Sequence, residues 1–447
     1  MHVIVTGGGW AGLAAAVELS SRGICVTVLE AAPQLGGRAR HVSHGHQLID
    51  NGQHLLLGAY RDTLRLLRLM GVPETTVLQR QPLHLLLKSP RQPDVRIRCP
   101  TLPAPLHLIM GLVRAEGLTM VDRLAALPLC RSILAAGFRE NNTARDISVA
   151  TWLARHKQPP TLIRILWQPL CLAILNTPLE SASSQVFVRV LRDAFARQRD
   201  DSDLLFSRVD LGSVFPTPAQ HFIEAHGGTI MLNQRVKRLH LHDKAVHGVI
   251  TTHQEIHADH VILAIPPVAC QRLLEPHAEF HSITQRLARI HHEPICTVYV
   301  QYPSHVKLEM PMIGLLDTTS QWVFDRGLYG IEQAGLMAVV ISGPGEHMAL
   351  NNHALSTCVV NELSQIFPDW PTPVHDAASA VIIREKRATF SCQTGIGSLR
   401  PTSALPIRGA WLAGDYTDTG YPATLEGAVR SGVQCARALL DQDNVSG

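Results

Sequence analysis

This 447-residue chain is short of several things, and each shortage closes a route. Charge is sparse, at 17% of residues, and nearly balanced at +3. That is too little of either sign to grip a nucleic-acid backbone, so no nucleic-acid partner is expected. The nine cysteines include no Cys-x-x-Cys pair, and an odd number cannot all pair within one chain. They read as reduced thiols, which points to the cytoplasm. The N-terminus supports the same expectation, because no basic segment there precedes an apolar one as a secretory signal would. The histidine pairs His44/His46, His240/His242 and His291/His292 lack helix context or evident partners, so no metal is expected. No repeat or low-complexity tract appears, and the apolar stretches are too short and proline-broken to span a bilayer. What remains is an ordered globular chain, 46% hydrophobic, long enough for two or three domains or an intertwined pair.

Chemistry begins at Val3. Val3-Ile4-Val5 is a β-forming run that enters Gly7-Gly8-Gly9-Trp10-Ala11-Gly12, and Leu13 to Leu19 follows at helical composition. Strand, glycine turn and helix with Gly-x-Gly-x-x-Gly spacing make a dinucleotide site. Gly7 turns the chain, Gly9 lets backbone approach a pyrophosphate, and Gly12 lets helix and strand pack. A helix starting at Trp10 and Ala11 presents free N–H groups and a positive dipole end to phosphates. The next strand, Cys25–Leu29, ends in Glu30, an acid placed to bind the hydroxyls of an adenosine ribose.

Ala31 follows, then Leu35-Gly36-Gly37-Arg38-Ala39, a second glycine pair with an arginine able to face a diphosphate. Glu30 with this segment resembles the N-terminus of the flavin amine oxidase and phytoene desaturase superfamily, which implies FAD rather than NAD. The superfamily places the polar stretch Asp50-Asn51-Gly52-Gln53-His54 near the flavin, with Asn51 and Gly52 on the cofactor. Val236, at the start of a strand signal, and Ala264, in the acid–strand–Ala–Pro-Pro pattern Ala258 to Pro267, join the cofactor set by the same likeness. Near the other end, Trp411-Leu412-Ala413-Gly414-Asp415 leads through a loop to Thr424-Leu425-Glu426-Gly427-Ala428. Asp415 suits ribityl hydroxyls, and a helix starting at Thr424 and Leu425, with Ala428 in its first turn, aims its dipole at the flavin. Gly427, Ala428 and Gly432 keep that helix close to cofactor and sheet.

Between the two ends the composition shifts. Arg98 to Arg114 encloses an uncharged run, and a second apolar stretch covers Leu124 to Leu134. Both fit helices of a lid, or an interfacial patch dipping into one leaflet. Helices are predicted over Tyr60–Met70, Thr143–Arg155, Ser184–Arg197 and Pro218–His226, and a hairpin is predicted to turn at His44-Gly45. Strand signals dominate Arg289 to Ile383. The expected architecture is α/β: a Rossmann-type FAD-binding domain interleaved with an α+β substrate domain and a helical lid. Its expected bounds are 1–76, 209–275 and 384–447 for FAD, 77–208 and 276–383 for substrate, with the lid at 100–205.

Over nearly the whole length a closer resemblance holds. Gly9-Trp10-Ala11-Gly12, Asp50 to His54, Leu102-Pro103-Ala104-Pro105-Leu106, Leu172 to Pro178, Arg208 to Leu211 and Gly414 to Gly420 look like the squalene-associated FAD-dependent desaturases, the hydroxysqualene dehydroxylases of bacterial hopanoid synthesis. The resemblance implies that hydroxysqualene and reduced FAD give squalene, water and oxidised FAD. It implies an isoprenoid lipid substrate, with contact to squalene-pathway synthases and to the inner face of the membrane. A proton donor is needed, and His54 and Asp418 are the candidates, since both lie in segments expected near the flavin. FAD is expected to be held non-covalently, with Cys392 as the one residue placed where a cysteine tether could form. A phytoene-type desaturase, an amine oxidase and a non-catalytic flavoprotein are the other readings.

Overall fold

The computed structural model describes residues 1–44, 47–135, 146–374 and 380–446. The expected hairpin turn at His44-Gly45 and the expected helix start at Thr143 lie partly outside them. His2–Thr6 is the middle strand of a five-stranded parallel sheet. Cys25–Leu29 and then Thr229–Met231 lie on one side, and His260–Leu263 and then Ala410–Leu412 on the other. Both faces of this sheet are covered, which is why Val3, Ile4 and Val5 form an unbroken apolar run without alternation. The helix Trp10–Ser20 is buried along its whole length. The closing helix Leu425–Ser446 crosses it at Gly432, where a Cβ would meet Ala11 O at 2.1 Å and Ala15 N at 2.8 Å. Only glycine allows that approach.

The second large sheet has seven strands, in the order Val381–Phe390, His292–Gln301, Leu336–Ser342, Trp322–Asp325, Met312–Leu315, His84–Lys88 and Val95–Arg98. Its pairings are antiparallel except between Met312–Leu315 and His84–Lys88. Alternation sorts its side chains. Cys296, Val298 and Val300 pack in the same core as Leu355, Val359 and Leu363 of the helix Asn352–Ile366. Thr297 on the other face lines the central cavity. A small antiparallel sheet of Val236–His242, Ala245–Thr251 and Glu255–His257 is the meander that the sequence resembles.

Boundaries differ from expectation where tertiary contacts decide them. The division at 383/384 falls inside the strand Val381–Phe390, which pairs with His292–Gln301 as far as Phe390. Those residues therefore belong to the substrate sheet. The helix expected from Thr143 runs Val149–Arg155, with Ser148 as its cap accepting from Thr151 N at 3.1 Å. The lid helices Leu106–Val113 and Met120–Ala135 are two-faced. Leu108, Leu112 and Ile133 line the cavity, while Leu106, Met120, Val121 and Leu124 are 53–71% exposed.

Candidate active site

A cavity of about 1000 Å³ runs between the two large sheets and under the lid. At one end it meets the glycine loops, and at the other Leu83, Leu87, Leu108, Leu112, Ile133 and Leu170. The three fingerprint glycines do different work. A Cβ on Gly7 would strike Ala264 O at 2.3 Å, and one on Gly12 would strike Gly7 O at 2.0 Å. Those two permit protein–protein packing. A Cβ on Gly9 would meet nothing nearer than Gly37 Cα at 3.9 Å. Both Gly9 and Gly37 line the cavity, so the space in front of them is left for a ligand.

This arrangement fits FAD. Among the described residues no side chain caps the helix that begins at Trp10, and no acid lies in its first turn, so its N–H end stays available to a diphosphate. Glu30 is fixed at the cavity wall by accepting from Gly8 N and Ala32 N, each at 2.7 Å. Its remaining lone pairs suit ribose hydroxyls. Of the other residues assigned to the cofactor, Trp10, Ala11, Ala31, Gly36, Arg38, Ala39, Asn51, Gly52, Val236, Ala264, Gly414, Asp415, Thr424, Leu425 and Ala428 all line the cavity. Thr424 starts the closing helix by accepting from Gly427 N at 3.0 Å.

Arg38 and Asp415 were assigned separate ligand groups from sequence, and the structure pairs them with each other. Arg38 Nη2 donates to Asp415 Oδ2 at 2.6 Å, and Nη1 donates to Ala388 O at 2.5 Å. Burial disfavours the guanidinium charge, but Asp415 outweighs this and holds the Arg38 pKa above its ordinary value. The pair joins the N-terminal motif, the C-terminal motif and the substrate sheet at one point.

His54 lines the cavity, with Nδ1 2.9 Å from Gly52 O. A carbonyl only accepts, so Nδ1 carries the proton and Nε2 is left as an acceptor. Burial pushes the imidazole pKa below its ordinary value, and the nearby Arg38 charge adds to this. Asp418 is elsewhere: its side chain is exposed, it does not line the cavity, and its backbone N donates to Pro401 O at 2.9 Å. The two candidate proton donors are therefore not brought together. The loop that carries Asp418 turns Thr417 and Thr419 inward instead. Cys392 is also outside the cavity lining, fully buried, with its thiol pushed up to about 12 by burial.

Several site residues were missed from sequence. Arg400 is 2% exposed and donates to Thr417 O, Tyr421 O, Asp415 O and Thr419 Oγ1 at 2.7–3.0 Å. It is the post around which the Asp415–Tyr421 loop is wound. Glu385 and Thr297 reach the cavity from the substrate sheet. Asp50 and Arg326 form a buried pair at 2.8 Å, and Arg326 also donates to Gln53 Oε1 at 2.9 Å, which anchors the segment carrying Asn51 to His54. Arg400, Glu385, Thr297 and Arg326 have no local sequence signature and are fixed by partners elsewhere in the fold, whereas Asp50 belongs to the polar stretch already legible in the sequence.

Known proteins place the chain in a family. The family model for flavin containing amine oxidoreductases matches residues 10–440. A hydroxysqualene dehydroxylase from Zymomonas mobilis is 26% identical over 98% of this chain and 98% of its own length. A 15-cis-phytoene desaturase from Solanum lycopersicum is 24% identical over 98% of this chain and 78% of its own. The solved structure of cyclohexylamine oxidase from Brevibacterium oxydans superposes with a TM-score of 0.72 at 18% identity, covering 99% of each chain. With the glycine cradle, the open helix end and the family match over nearly its full length, the chain belongs to the flavin containing amine oxidoreductases and is an FAD-dependent oxidoreductase.

Proposed function

We propose that the chain removes the hydroxyl of hydroxysqualene reductively, giving squalene and water as FAD passes from its reduced to its oxidised form. The observation that carries this reading is the aliphatic far end of the cavity, which suits a long hydrocarbon better than a small amine. The likeness to a hydroxysqualene dehydroxylase over both full lengths supports it. Reduced FAD, when bound, would supply the hydride. The protein's own residues exclude water with leucine and isoleucine, orient the chain under the lid, and offer His54 beside the polar end. In its neutral form His54 accepts a hydrogen bond from a substrate hydroxyl at Nε2, and it must first be protonated to donate one. Anaerobic, photoreduced enzyme mixed with hydroxysqualene tests the reading: flavin absorbance should return while squalene accumulates. Bleaching of oxidised enzyme by squalene, with more highly unsaturated polyenes appearing, would establish the desaturase reading instead, which the phytoene desaturase likeness favours. Oxygen-dependent turnover of an amine would establish the third.

The same reading includes docking on a lipid surface through the lid. No helix among the described residues is long and apolar enough to cross a membrane. Leu106, Met120, Val121 and Leu124 nevertheless expose apolar side chains beside Arg114 and Arg123, above helices whose inner faces line the cavity. A hydrocarbon product gains a direct path if this rim lies in a leaflet of anionic lipid. Wild type should sediment with anionic liposomes at low salt, and Val121→Asp/Leu124→Asp should stay in the supernatant with its FAD. Equal behaviour of the two proteins would sink docking by this rim.

A further inference from the structure

Far from the cavity's apolar end, the small three-stranded sheet carries a cluster that the proposed reaction does not use. His240 lies directly opposite Gly248, and Gly248 lies directly opposite His257. Residues opposite one another in a sheet share a face, and Glu255, two positions before His257, shares it too. Gly248 has φ +142°, and a Cβ there would meet Ile256 O at 2.0 Å. The central strand is therefore bare at this point, and the two imidazoles face each other across it with ring centroids 5.6 Å apart.

Glu255 completes the group. Its Oε1 lies against His240 Nδ1 and 3.9 Å from His257 Nε2, and the three donor atoms all fall within 4.8 Å of one another. His240 Nδ1 is buried and pairs directly with that carboxylate, so the three side chains already converge on one point. A zinc-class ion takes its nitrogen and oxygen ligands at about 2.0–2.2 Å, which sets neighbouring donors about 3.3 Å apart. Small side-chain rotations bring this trio to that spacing, with water as the fourth ligand. The donor set, two imidazoles and one carboxylate, selects zinc, nickel, cobalt or copper over magnesium or calcium.

We propose that His240, Glu255 and His257 bind one divalent ion of the zinc class. The ion clamps the two outer strands of the small sheet across its glycine gap. It does so on a strand whose first residue, Val236, lines the cavity. The pair visible in sequence, His240/His242, does not form the site. His242 lies outside the trio, and the true partners come from a different strand.

The test uses the full-length holoenzyme purified without a histidine tag and titrated with ZnCl2, with FAD absorbance as a control for folding. One Zn2+ should bind per chain. Affinity should fall at least tenfold in His240→Ala, in His257→Ala and in Glu255→Gln, and stay at the wild-type value in His242→Ala. The 24 histidines guarantee some weak background, so the contrast between variants is the decisive readout. Absence of stoichiometric zinc on the wild type would overturn the proposal. So would wild-type affinity in His240→Ala and His257→Ala, or an equal loss in His242→Ala.

Discussion

At the scale of single residues, the site depends on groups that hold other groups still. Arg400 gives its guanidinium to four acceptors in the Asp415–Tyr421 loop. Hydrogen bonds to a charged group contribute about 1.5–3 kcal/mol each, and a buried acceptor left without a partner adds its own cost. Arg400→Met should therefore lose at least ~3 kcal/mol of stability in denaturant unfolding and release FAD. Arg400→Lys keeps the charge without the fork, and should recover only part of either. Glu30 makes a different kind of prediction. Its oxygens are already held by Gly8 N and Ala32 N, so the carboxylate is preorganised for the ribose. Glu30→Ala should weaken FAD at least tenfold, about 1.4 kcal/mol, in a fluorescence titration. For His54, burial pushes the pKa below its ordinary value, so the imidazolium forms only at pH more acidic than a free histidine needs. If His54 supplies the proton, kcat/KM for hydroxysqualene should rise as pH falls from 7 to 5, and His54→Gln should flatten that limb.

At the scale of elements, the closing helix and the fingerprint helix are the pair whose distance matters most. Gly432→Val should force them apart against Ala11 O and Ala15 N and cost about 1–3 kcal/mol by overpacking, with FAD loss. Gly397→Ala, where a Cβ meets nothing within 4 Å, is the matched control and should leave Tm unchanged. This pair also shows what the sequence makes legible. Each end of the chain is a local strand–turn–helix unit, and its glycines have local reasons, so the cofactor residues could be read without knowing the fold. The lid could not be read so far. Its helices are apolar on both sides, and composition alone does not separate Leu112, which faces the cavity, from Leu124, which faces out. The strand Val381–Phe390 was under-read at its C-terminal end because Arg384, Glu385, Lys386 and Arg387 interrupt its apolar pattern. Its pairing with His292–Gln301 overrides local composition there. Asp418 was misplaced for a related reason: in a loop, no period tells which side chains point inward.

At the scale of the whole molecule, burial of histidine sets the response to acid. His54, His84, His107, His292 and His347 all have pKa values lowered, first by desolvation. The unfolded chain therefore takes up protons first as pH falls through about 6.5, and stability present above that value is lost below it. Glu426 has the opposite sign. Buried between Thr63 and Arg430, it is raised to about 7, so its contribution is present at acid pH and lost as pH rises through 7. Tm should fall between pH 7 and 5, and Glu426→Gln should make that fall steeper; a gentler slope in the variant would show the sign to be wrong. The largest feature of the molecule is that its cofactor seat is closed by Arg38 meeting Asp415. Those residues are 377 positions apart, so Arg38 leaves the ribosome long before Asp415. For most of that time the aliphatic cavity has neither its last strand nor its closing helix, and FAD finds only half a grip. Flavin capture should thus act as a check on the C-terminal segment: a chain truncated before Ala410 should purify colourless and be cut faster by protease than one that carries the strand Ala410–Leu412 and the closing helix.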